Sequence, residues 1–219
     1  MIYQQDQASA RRSAAPYHAP VAPLPEKQRD AIGRHIIHSV TRALLEMPSA
    51  DISMSAAAKR AGVGRQTLYR RFSSKEQLLH AVYEERTEAN IREMIEAIPR
   101  SDNPVELIVG TMLTSLEITE RDPVLMNMIM DTSSSEAGEF LLGRNSFNYR
   151  LCERLWCPIL ERLRDRGVLR HPDQLEEYLQ QIRVVYYVLL IRRDIPLEQR
   201  RRHVHDFFLP ILLSDAVSE

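Results

Sequence analysis

The sequence predicts an all-α protein in two parts, a small N-terminal three-helix unit and a larger helical C-terminal domain. Three observations carry this. Helix breakers are scarce: there are seven glycines in 219 residues, and four of the 12 prolines fall within the first 25. Apolar residues recur at three- and four-residue spacing over long stretches, the period of a helix face. No segment shows the sustained alternation of a half-buried strand, and no internal repeat is present. With 44% apolar and 27% charged residues, the composition is that of a globular chain long enough to bury a substantial core.

Residues 1–25 are rich in Ala, Pro, Gln and Ser, and Pro16, Pro20, Pro23 and Pro25 forbid a regular helix, so a disordered tail is expected. A first helix is expected over 26–46, with Ile32, Ile36, Val40, Ala43 and Leu44 on one stripe and Pro48 beyond its end. Ser53 is placed as the N-cap of a short helix from Met54 to Ala61, which Gly62 stops. A second short helix runs from about Arg65 to Phe72. Ser73 or Ser74 then caps a longer helix, to residue 98 before Pro99, with Glu76 near its positive end. Further helices are expected at 104–120, 122–130, 137–166, 173–193 and 197–213, with a polar loop at 131–135. Pro158 predicts a kink or break in the 137–166 helix, and Gly167 suits its C-terminal cap. The domains are therefore drawn at 26–86 and 87–219.

The net charge of −1 conceals an asymmetry. Residues 1–86 hold 13 Lys/Arg against 8 Asp/Glu, and the remainder holds 16 against 22, so only the front suits a polyanion. Cys152 and Cys157 point apart at helical spacing, which favours two reduced thiols. Arg11 and Arg12 are followed by no apolar run, and no stretch reaches the length of a membrane span, so a cytoplasmic protein is expected. His203 and His205 fall on different helix faces, and His35 and His38 lack a carboxylate or cysteine partner in sequence, so no metal is expected. No Walker loop, dinucleotide fingerprint, HExxH or Gly-x-Ser-x-Gly appears, so neither a cofactor nor a catalytic residue is assigned. The run Arg200-Arg201-Arg202 is expected to decorate the start of the last helix.

The informative stretch lies between Ser53 and Lys75. Two short helices crossing steeply need small residues where they touch, and Ala57, Ala58 and Ala61 provide them. Gly62 supplies the turn, Val63 and Leu68 plug the gap, and Phe72 closes the end. This is the helix-turn-helix plan, whose second helix enters the major groove. From Ile52 to Lys75 there are six cations, Lys59, Arg60, Arg65, Arg70, Arg71 and Lys75, and no acidic residue. A solvated face ordinarily mixes both signs, so this pattern suits phosphate binding. Arg65 has the chemistry to read guanine, and Gln66 adenine. Thr67 and Tyr69 offer hydroxyls to phosphates. The expected DNA-contacting set is Ser53, Arg65, Gln66, Thr67, Tyr69, Arg70, Arg71 and Lys75.

Ala58-Lys-Arg-Ala-Gly-Val63, Thr67-Leu-Tyr69 and Phe72-Ser-Ser-Lys-Glu-Gln-Leu78 resemble the tetracycline-repressor (TetR) family over about residues 28–82. The resemblance implies a three-helix DNA-binding domain leading into a helix that joins it to a ligand-sensing and dimerising domain. By position it implies phosphate contacts for Thr67, Tyr69 and Lys75, and base-facing places for Arg65, Gln66 and Arg70. Ala57 stands where a larger aliphatic residue is usual, and Gly64 where Ser or Thr commonly caps the recognition helix.

Beyond residue 87 the likeness is one of architecture. Leu175, Leu179, Ile182, Val185, Tyr186, Leu189 and Leu190, then Val204, Phe207, Phe208, Ile211 and Leu212, give two broad apolar faces. A two-fold four-helix bundle would cover both, so a homodimer through about 173–213 is expected. The middle helices are expected to enclose a pocket for a small, largely apolar effector, with Met112, Leu116, Met126, Met130, Phe140, Phe147 and Trp156 as its lining. Met128, Ile129 and Tyr149 are further candidates. The expected function is a dimeric repressor released from a palindromic double-stranded DNA operator by that effector. The competing reading is a helical small-molecule-binding protein or enzyme with an incidental basic hairpin, and salt-sensitive duplex binding separates the two.

Overall fold

The computed structural model describes residues 28, 30–131 and 147–215. The expected tail, most of the 131–135 loop and Phe140 lie outside the described residues, as does the side chain of Phe147. Every regular element among the described residues is a helix, with no strand; one isolated antiparallel bridge joins Leu169 to Leu213.

Helix α1 spans Ala31–Leu44. It starts later than the expected residue 26 because Asp30 caps it, accepting the Gly33 N–H at 2.6 Å. Ile36, Ile37, Val40, Ala43 and Leu44 are buried, whereas Ile32, expected on the same stripe, is exposed in the first turn. A 3₁₀ turn, Ser49–Asp51, leads to α2 (Met54–Arg60) and α3 (Arg65–Arg71). Ser53 caps α2 as expected, accepting the Ala56 N–H at 3.1 Å. Gly62 has φ 61°, and Val63 donates back to the Ala58 carbonyl at 3.0 Å, which closes α2 with a left-handed cap. No heavy atom lies within 4 Å of a Cβ added to Gly62, so Gly62→Ala meets only backbone strain. Urea denaturation is expected to show a loss of about 1 kcal/mol for that substitution. An unchanged midpoint would mean that the turn relaxes freely.

Helix α4 (Lys75–Glu96) belongs to two cores. Leu78, Ala81 and Val82 pack into the head with α1–α3, while Tyr83, Ile91 and Met94 pack into the C-terminal domain. The rest comprises α5 (Pro104–Glu120), α6 (Pro123–Asp131), α7 (Phe147–Asp165) and α8 (Leu175–Ile191). Asn103 caps α5, accepting from Val105 and Glu106, and Pro104 occupies the first turn, where no N–H is needed. Helix α7 runs through Pro158 without the expected break. Gly167, at φ 68°, caps its end.

The last segment starts as α9 (Leu197–His203), widens into a π turn at Val204–Phe208 and ends as α10 (Leu209–Leu212). The sequence pattern predicts one uniform helix here. Pro210 explains the difference: it offers no N–H, and its ring would crowd the carbonyl four residues back, at Asp206. The expected surface role of Arg200 also fails. Arg200 is buried, whereas Arg201 and Arg202 are exposed. Its guanidinium pairs with Glu120 of α5 at 2.6 Å and donates to the Ile195 carbonyl at 2.9 Å.

Candidate nucleic-acid interface and ligand cavity

The head holds α3 by its inner face. Leu68 and Phe72 are fully buried, and the small Ala57, Ala58 and Ala61 let α2 approach closely. His35 of α1 donates to the Ala61 carbonyl at 3.0 Å, tying the turn to the first helix. Gly64, at the N-cap of α3, has no side chain to cap it. With 68, 71 and 72 turned inward, Arg65, Gln66, Tyr69 and Arg70 stand exposed on the opposite side. Thr67 and Lys75 are half-buried at its edge. No ion pair among the described residues joins Arg65 or Arg70 to a carboxylate, so their charge faces outward unspent. Ser53 sits exposed at the start of α2.

Arg71 corrects the sequence reading. It was expected to contact DNA, but its side chain is only 6% exposed and clasps Asp30 through Nε (3.1 Å) and Nη2 (2.7 Å). Gln28 donates to its backbone carbonyl at 2.8 Å. Arg71 therefore locks the end of α3 to the start of α1. The guanidinium holds the Asp30 carboxyl below its ordinary value, with the Gly33 N–H assisting. A depressed carboxylate pKa means that this clasp is intact at neutral pH and is lost as pH falls through the folded value.

Two links join head and C-terminal domain. Helix α4 is one. The other is α6, whose Val124 enters the head core, while Leu125 and Ile129 face an internal cavity. Asp122 fixes the start of α6. It is buried, accepts the Leu125 N–H at 3.1 Å and pairs with Arg86 of α4 at 2.6 Å.

The cavity, about 90 Å³, lies between α4, α5, α6, α7 and α8. Ile91, Met94, Leu155, Trp156, Ile182 and Leu190 give it apolar walls. Set among them are Tyr83, Asn90, Thr119, Asn148, Arg183 and Tyr186. Tyr83 donates to Asn148 Oδ1 at 3.0 Å, and the Thr119 and Tyr186 hydroxyls bond to each other. Burial pushes the Tyr83 hydroxyl and the Cys152 thiol up to about 12 and raises Tyr186, so all three are neutral at neutral pH. Cys152 and Cys157 are free thiols, as their spacing suggests.

The expected lining is largely corrected. Trp156 and Ile129 face the cavity. Met112, Leu116 and Met126 are core, and Met130 is 45% exposed. For Met112 and Leu116 the reason is the rotation of α5: its cavity side carries the small polar Ser115 and Thr119, so these large residues pack elsewhere. Asn90 and Arg183 were missed. Arg183 left a trace in the sequence, a cation interrupting the apolar face of α8 beside Ile182.

Residues 39–82 match the model of the bacterial regulatory proteins of the tetR family. An uncharacterised HTH-type transcriptional regulator of Mycobacterium tuberculosis H37Rv is 29% identical over 122 residues, 56% of this chain and 60% of its own. The chain thus spans about three fifths of the length of the curated relatives it matches. Among solved structures, the TetR family repressor AlkX from Dietzia superimposes with a TM-score of 0.57 at 19% identity, covering 80% of this chain and 92% of that one. SmeT of Stenotrophomonas maltophilia, solved in complex with triclosan, gives 0.57 at 20% identity, covering 86% and 94%. These likenesses share the two-part helical fold. No helix among the described residues is long and apolar enough to cross a membrane. The helix-turn-helix segment at 39–82 is thus similar to that of the tetR family of bacterial regulatory proteins.

Proposed function

We propose that the protein is a dimeric, sequence-specific DNA-binding regulator of the cytoplasm, a repressor that leaves a palindromic operator when a small, largely apolar molecule fills the cavity. The observation that carries this is α3: an outward row of Arg65, Gln66, Tyr69 and Arg70 anchored on the buried Leu68 and Phe72. In this reading Arg65, Gln66 and Arg70 face bases, while Thr67, Tyr69, Lys75 and the exposed Ser53 hold phosphates.

The effector acts through α4 and α6, which each touch both the cavity and the head core. It shifts the equilibrium only by its differential affinity for the two head placements. The relative SmeT, solved with triclosan, supports a ligand-responsive reading.

A second copy is needed to read a palindrome. Val184, Val188 and Ile191 form an exposed stripe on α8, and Phe207 and Ile211 extend it on the last segment, with Phe207 68% exposed. Phe207 and Ile211 belong to the expected faces, whereas Val184, Val188 and Ile191 on α8 do not. Leu179, Ile182, Leu189, Leu190, Val204, Phe208 and Leu212 are spent on the core of one chain. The exposed set is what a two-fold four-helix bundle would cover.

Duplex binding measured against salt tests the reading. Log affinity is expected to fall steeply and linearly with log salt, by about 0.9 per phosphate contact. Weak binding that ignores salt would refute it. Tyr69→Phe and Lys75→Ala are expected to weaken binding on every sequence alike. Arg65→Ala is expected to cost about 1–3 kcal/mol at one operator position and relax the base preference there. Equal losses on all operator variants would make Arg65 a phosphate contact instead.

A further inference from the structure

The cavity is apolar in its walls but not in its chemistry. Asn90, in the middle of α4, is 5% exposed, and its Nδ2 has no hydrogen-bond partner. A buried amide donor left unsatisfied is costly, and native cores retain few of them. Also lining the cavity, on α8, is Arg183, 6% exposed, its guanidinium 5.1 Å from the centre of the Tyr149 ring. Arg183 is the one charged residue among the described residues that line the cavity, and no Asp or Glu is among them. Burial works against its charge, yet a guanidinium remains protonated at neutral pH. Among these described lining residues a carboxylate would meet a cation and an amide donor and no acidic side chain, while a cationic head would meet Arg183.

We infer that the effector is a compact amphiphilic acid, its anionic head taken by Arg183 and Asn90 and its apolar body by Ile91, Met94, Leu155 and Trp156. This rests on the regulator reading and names the ligand class of its cavity. The head's position also suggests a route for the signal. Asn90 lies on the helix that runs into the head, so a ligand engaging it pulls on α4 directly.

Trp156 is the chain's one tryptophan, so its fluorescence reports cavity occupancy without a label. The test titrates the intact protein with 3-phenylpropanoate, cyclohexanecarboxylate and octanoate, each beside its primary amide, which has the same body without the charge. At least one acid is expected to change Trp156 emission and to bind about ten-fold or more tightly than its amide, the range of a charge-assisted hydrogen bond. Arg183→Met is expected to bring the acid-to-amide ratio close to one, and Arg183→Lys to restore part of it. The wild-type ratio stands whether or not a variant folds. Amides binding as tightly as acids, or no acid altering the emission, would overturn the inference. Duplex binding by the ligand-free protein is read separately. Acid binding without DNA binding would sink the regulator reading, and DNA binding without acid binding would sink only this inference.

Discussion

Arg200→Ala is expected to lower the unfolding free energy by about 3–5 kcal/mol, the cost of removing one member of a buried ion pair. Arg200 pairs with Glu120 at 2.6 Å and also donates to the Ile195 and Arg192 carbonyls at 2.9 and 3.4 Å. It therefore ties the α8–α9 turn to the end of α5. Its loss leaves a carboxylate that is 25% exposed facing its former cation's space, together with carbonyls that lose a donor. Arg201→Ala, one residue away and exposed, is expected to stay within about 0.5 kcal/mol of wild type. Urea denaturation measures both. A loss below about 1 kcal/mol for Arg200→Ala would put the pair in the class of solvent-screened surface bridges.

The double substitution Val188→Asp with Phe207→Asp is expected to halve the mass seen by sedimentation and to weaken binding to a palindromic duplex by about 100-fold or more. Both side chains are exposed in the single chain, so folding, followed by circular dichroism, is expected to persist. The DNA effect follows from linkage: two heads held together bind as one bivalent unit, and separating them forfeits an effective concentration worth about 10²–10⁴ in affinity. A variant that keeps the dimer mass would move the interface to another face of the molecule.

The head was readable in the sequence because its constraints are local. A glycine turn, alanines at a crossing and a one-signed charge run each occupy a few consecutive positions. The departure among its expected DNA contacts, Arg71, arises because a cation in a basic run looks the same whether it faces DNA or a carboxylate 41 residues earlier; only packing brings Asp30 beneath it. The C-terminal domain was readable as helices but not as a site. Methionine spacing on α5 and α6 marks a buried face without saying whether that face meets another helix or a cavity. The cavity's character comes from Asn90 and Arg183, on helices nearly a hundred residues apart in the chain. For the same reason the sequence does not show which rotation of α8 faces outward. Its most apolar residues fill the core of one chain, and the outward face is carried by Val184, Val188 and Ile191.

In the proposed reading the protein reads DNA sequence as a symmetric pair. Selection of duplexes from a random pool by the purified, ligand-free protein at low salt, followed by sequencing of the retained DNA, tests it most directly. Enrichment of an inverted repeat with half-sites about one helical turn apart is the result the account predicts. Enrichment of an asymmetric site occupied by one chain, or none above a beads-only control, would contradict it.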